Sequence, residues 1–98
     1  MNLLRETIDA LKDAGKKPSD VLWVGDDESY LPWLDFFKEA MTINYDNDYG
    51  RVNINPGLMV VGDGWWLERA EYDGSEWWEC KCPPTRPSKR EMPKTVRW

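Results

Sequence analysis

A chain of 98 residues with 41% hydrophobic content is one small domain, large enough to fold without obligatory disulfides or metals but with little core to spare. It contains no histidine, which removes the commonest general base, the usual catalytic triads and most zinc chemistry. The net charge of −5 hides an asymmetry: residues 83–98 carry Arg86, Lys89, Arg90, Lys94 and Arg97 against Glu91, a net +4 that leaves −9 on residues 1–82, and such a body repels nucleic acid and attracts basic protein surfaces.

In chain order, Leu3, Leu4, Ile8 and Leu11 recur at helical spacing, so a first helix is predicted over Leu3–Asp13, capped by Asn2 and stopped by Gly15. Pro18-Ser19-Asp20 breaks the chain. Val21-Leu22-Trp23-Val24 is a short buried strand or the first turn of a helix; the two valines and Gly25 favour the strand. The acidic loop Asp26-Asp27-Glu28-Ser29 leads into a second helix predicted over Tyr30–Met41, with Pro32 in its first turn and Leu34, Phe37 and Met41 as the stripe that packs on a sheet. Thr42 to Asn55 is polar and Asx-rich, a long loop with room for a short strand at Val52 to Ile54.

Leu58 to Cys82 is predicted to be an antiparallel meander of three strands, reversed at Gly62-Asp63-Gly64 and at Asp73-Gly74. A two-residue type I′ loop at Asp73-Gly74, closed by Tyr72 and Ser75, sets Leu67 opposite Cys80, Trp65 opposite Cys82 and Glu68 against Glu79. A three-residue loop would pair Arg69 with Glu79 instead, and the two-residue loop is preferred. Four prolines among basic and small polar residues then make an extended tail. The expected architecture is α+β: two helices packed on the three-stranded meander within residues 1–82, followed by a flexible, Pro-rich basic tail over 83–98.

Few residues suggest chemistry. Cys80 and Cys82 lack a second ligand pair for zinc, and reduced thiols are the expected state. Asn44, Asp46 and Asp48 have calcium-like alternation, but Tyr49 and Asn55 stand where glycine and glutamate are needed. No cofactor or metal is expected. The doublets Trp65-Trp66 and Trp77-Trp78 send one ring to each face of a strand, so either helices or the tail cover the second face or one ring of each doublet is left exposed. Glu68, Glu71, Glu76 and Glu79, with Asp26, Asp27 and Glu28, either keep a small sheet soluble or form an acidic surface anchored by the tryptophans. No stretch reaches the apolar length of a membrane span, the start lacks the order of a signal peptide, and a cytoplasmic protein is expected.

The segment VVGDGWWLERAEYDGSEWWECKCPP, with DVLWVGDD and the NYDNDYG loop, resembles a group of small proteins encoded by phages and prophages of Gram-positive bacteria. The resemblance implies a genetic setting in which small acidic proteins without catalytic residues act by binding a host protein, the anti-CRISPR proteins being one such class. The expected function is therefore a non-enzymatic inhibitor that binds a host defence nuclease, such as an RNA-guided Cas protein, where nucleic acid would sit. The alternatives are a self-associating adaptor or virion-associated protein, and direct nucleic-acid binding by the tail, which the acidic body opposes.

Overall fold

The computed structural model of the chain describes residues 1–46 and 52–95. Its elements run α1 (Leu3–Asp13), a 3-10 turn (Pro18–Asp20), β1 (Val21–Gly25), β2 (Tyr30–Leu31), α2 (Trp33–Ala40), β3 (Met59–Gly62), β4 (Trp65–Tyr72) and β5 (Ser75–Lys81). The class is α+β, as expected. The sheet is larger than the meander: five antiparallel strands in the order β2-β1-β3-β4-β5. A strand at Val21–Val24 left by itself would carry unpaired backbone groups, and the free edge of β3 satisfies them.

Helix α1 forms as its sequence requires. Asn2 Oδ1 accepts the Arg5 N–H at 3.1 Å, and Leu3, Thr7 and Leu11 form its buried stripe. At its end Gly15 takes φ 72°, Lys16 N–H reaches the Leu11 carbonyl at 2.8 Å and Gly15 N–H the Lys12 carbonyl at 3.0 Å, which is the Schellman arrangement.

Helix α2 departs from its expected bounds. Tyr30 and Leu31 pair with Gly25 and Val24 as β2, and Pro32 is the N-cap, because the residue before a proline is pushed to extended backbone. The expected stripe is overturned too: Phe36 and Ala40 are buried, whereas Leu34, Phe37 and Met41 are exposed. Two apolar stripes lie one residue, about 100°, apart on this helix, and periodicity fits both equally. The handover at Pro32 and the close approach that Ala40 allows decide between them.

The hairpin register is the predicted one, with Tyr72 opposite Ser75, Leu67 opposite Cys80 and Glu68 opposite Glu79. Asp73 (φ 51°) and Gly74 (φ 86°) both adopt the positive φ of a type I′ turn. A bulge places Leu22 outside the β1–β3 ladder between Val21 and Trp23. At Gly62 a Cβ would overlap the Trp65 indole, so glycine is what lets that ring lie across the strand.

Both helices pack on one face of the sheet. Leu3 and Leu11 from α1, Phe36 and Ala40 from α2, and Val24, Val60, Trp65, Leu67 and Trp78 from the strands make one core, joined by Ile54. The expected strand at Val52 to Ile54 does not form, and residues 52–55 run as irregular backbone. Residues 1–3 pair with 43–45, through Leu3 N–H to Ile43 O, Tyr45 N–H to Met1 O and the Met1 ammonium to Tyr45 O. Residues 83–95 contain neither helix nor strand, and each is exposed. Asp48 and Tyr49 of the calcium-like spacing, and Val96, Arg97 and Trp98 of the tail, lie outside the described residues.

Candidate functional site

The outer face of the sheet, opposite the helices, is built by the strand alternation. Pairing sets Trp23, Val61, Trp66 and Lys81 in one row across β1, β3, β4 and β5, and Tyr30, Gly25, Met59, Glu68 and Glu79 in the next. Ala70 and Trp77 follow in a third row. Neither helix covers these rows, and Trp77 remains 38% exposed and Tyr30 69%.

Two clusters on this face combine rings with carboxylates. In the first, Trp66 Nε1–H donates to Glu68 at 3.1 Å and Trp77 Nε1–H donates to Glu79 at 3.2 Å. The same Trp-x-Glu step thus occurs on β4 and on β5, with the two carboxylates directly opposite. Like charges facing across a ladder repel, and Lys81 offsets this with its ammonium 3.1 Å from Glu79 and 4.0 Å from Glu68. Lys81 and then the Trp77 N–H hold the Glu79 carboxyl below its ordinary range, and Glu79 and Glu68 in turn raise Lys81. Glu79 is therefore held in its charged form, which suits recognition of a cation more than proton transfer.

The second cluster is at the β1–β2 turn. Trp23 and Tyr30 meet edge to face, with centroids 6.4 Å apart, and with Asp26, Asp27, Glu28 and Ser29 they line a shallow concavity of about 310 Å³. Asp26 is structural within it. Its Oδ1 accepts the N–H groups of Glu28 and Ser29 at 2.9 and 3.0 Å, its Oδ2 accepts from Asn55, and these bonds lower its pKa. Asp27 and Glu28 are exposed. At about 4.8 Å per strand, roughly 10–14 Å separates β1 from β4 and β5, so the acids gather at two places and do not form one continuous patch.

Three of the residues expected at a surface are buried instead. Trp65 and Trp78 are sealed in the core, because the inner ring of each doublet meets the helices. Glu76 is only 2% exposed. Its carboxylate accepts Asn53 N–H at 2.7 Å, Ile54 N–H at 3.1 Å and Arg69 Nη2 at 2.8 Å, tying residues 53–54 to the hairpin. Glu71 is exposed but has the inward phase, opposite Glu76 near the hairpin tip, away from the outer rows.

The inner face also holds a charged network that the sequence reading missed. The buried Arg69 side chain donates to Glu6 at 3.1 Å, to Glu76 and to the Tyr45 hydroxyl at 3.2 Å, while Tyr45 O–H donates to Glu6 at 2.7 Å. Its guanidinium carbon lies 4.7 Å from the Trp78 ring centroid, and its Nε finds no acceptor among the described residues. Burial lowers the Arg69 pKa, but the bonds to Tyr45 and Glu76 and the field of Glu6 more than reverse this, so it ends raised. Burial and then the Glu6 bond push the Tyr45 phenol up to about 12. The signal was in the alternation: Arg69 shares the inward phase of Trp65 and Leu67, and Glu76 that of Trp78.

Fold and surface together define a small α+β domain with one sheet face covered by helices and the other open, aromatic and acidic. No protein-family model, curated protein or solved structure matches the chain. Among the described residues no group of three or more His, Cys, Asp or Glu side chains could hold a metal ion, and no helix is long and apolar enough to cross a membrane.

Proposed function

We propose that this chain is a non-enzymatic binding protein that takes a basic protein surface onto the outer face of its sheet. The observation that carries the reading is the pair of Trp-x-Glu steps, Trp66–Glu68 and Trp77–Glu79, on a face that neither helix covers. A guanidinium or ammonium placed there meets fixed carboxylates and indole faces together, each of which attracts cations. The partner we propose is a host defence nuclease of the RNA-guided kind, met in the cytoplasm by a phage-encoded inhibitor. Two things support this narrower reading: the phage-protein resemblance and the −9 charge of residues 1–82, which suits a channel built for nucleic acid.

The test is capture from a bacterial host lysate with the parent chain and with a Glu68→Gln/Glu79→Gln variant. The expected result is a nucleic-acid-binding protein retained by the parent, released by salt and lost with the variant. Capture that ignores both salt and the two substitutions overturns the reading.

A further inference from the structure

The basic tail contains a ligand for the kind of surface the sheet presents. Pro84-Thr85-Arg86-Pro87-Ser88-Lys89 has two prolines three residues apart followed by a cation. Proline fixes φ near −65° and biases such a stretch to the polyproline II helix, which repeats every three residues. That period sorts the tail into three sides. Pro84, Pro87 and Arg90 share one, Pro83, Arg86 and Lys89 a second, and the small or acidic Thr85, Ser88 and Glu91 the third. Proline-rich segments of this form dock on grooves lined by aromatic rings, with low ordering cost because the helix is preformed.

We propose that Pro84–Arg90 of one chain docks on the outer sheet face of a second copy, its prolines against Trp23, Trp66 and Trp77 and its cations at the two acidic clusters. The proposal rests on the same face as the reading above but names a different occupant. Charge complementarity favours it, with +4 on residues 83–98 and −9 on the rest. So does length: Pro84 to Arg90 spans about 19 Å of polyproline II helix, enough to cross the roughly 10–14 Å between β1 and β4–β5. The same chain's face is disfavoured, because Pro83-Pro84 follow β5 almost directly and stiffen the tail where it would have to turn back. The tail is free to be donated. All of residues 83–95 are exposed, a concavity lined by Arg86 to Pro93 has no body residue in its wall among the described residues, and the Lys89–Glu91 pair at 3.1 Å is internal to the tail. Two copies exchanging tails reciprocally close a two-fold dimer.

The test is sedimentation of the full chain over a range of concentrations at low and high salt, with two variants. Pro84→Ala/Pro87→Ala disables the tail and leaves the face intact. Trp77→Ala/Glu79→Lys disables the face and leaves the tail intact. The parent is expected to form a salt-sensitive dimer, and each variant to weaken it at least about tenfold. Mixing the two variants is expected to recover part of the association, through the one tail–face contact that such a pair can make. A parent that stays monomeric, or a dimer untouched by the proline substitutions, overturns the proposal. So does a monomer that takes up a peptide of residues 83–91 only after its own prolines are replaced, because its tail would then lie on its own face. Lysate capture that depends on Glu68 and Glu79 but not on the tail would leave the binding reading standing while this proposal fell.

Discussion

The two faces of the sheet receive the same residues and put them to different ends. Each tryptophan doublet contributes one ring to either side. Inside, the Trp78 indole N–H donates to Thr7 Oγ1 at 3.0 Å, and Thr7 itself donates to the Leu3 carbonyl at 2.7 Å. Outside, Trp66 and Trp77 donate to Glu68 and Glu79. The acids divide in the same way: Glu76 and Glu6 are spent on Arg69 and on backbone N–H groups, whereas Glu68 and Glu79 stay in reach of solvent. The lesson is that a ring or a charge in this chain acquires its role from strand phase, and a shift of one residue exchanges structure for recognition.

Substitutions on the inner face test this most severely. Arg69→Ala leaves Glu6 and Glu76 facing each other without their shared cation, and is expected to cost about 3–5 kcal/mol in urea unfolding. Trp78→Ala opens a cavity beside Thr7 and Leu67 and is expected to cost a similar ~3–5 kcal/mol. Its outer neighbour supplies the contrast: Trp77→Ala should change stability by less than about 1 kcal/mol while weakening tail-peptide binding. Equal losses for Trp77 and Trp78 would erase the distinction between the faces.

Two smaller effects sharpen it. Gly74→Ala should destabilise the hairpin by about 1–2 kcal/mol, because φ 86° strains any side chain. In alkali the inner network reports through Tyr45. Its phenol ionises near 10 when unfolded and near 12 when folded, so the unfolded chain releases its proton first. The Tyr45 contribution is therefore complete below pH 10 and is lost as pH rises through about 12. Urea unfolding across that window, compared with Tyr45→Phe, measures it, and a parent whose stability fell no faster than the variant's would place Tyr45 outside the network. Least of all, Lys81→Gln should leave the urea midpoint close to the parent's, since exposed pairs are screened.

Local rules made much of the fold legible. Asn2 and Gly15 bound α1, and Asp73-Gly74 fixed a register in which Glu68 meets Glu79 despite the repulsion. What local rules missed depends on contacts far apart in sequence. The ladder of β1 with β3 spans more than thirty residues of chain, and no pattern within VLWV announces its partner. Pro32 marks a helix start to local rules, yet here it also ends a strand, because Tyr30 and Leu31 find partners in β1. Alternation splits each tryptophan doublet between the two faces, but only the packing of the helices decides that Trp66 and Trp77 are the outer rings. The four hairpin glutamates look like one set in composition, yet their strand phases differ, and that of Glu76 turns it inward.

The repeated Trp-x-Glu step gives the outer face a local dyad. A half-turn about the midpoint of Glu68 and Glu79 carries Trp66 onto Trp77 and exchanges the two acids, while it sets Lys81 against Ala70. An extended segment laid over this centre would meet nearly the same rings and carboxylates whether it ran in one direction or the other. Within these two strands the Lys81 corner breaks the symmetry, and its ammonium repels an incoming cation, so that side chain biases the polarity of docking. Exchanging that lysine for alanine would give a surface that accepts a ligand in both senses.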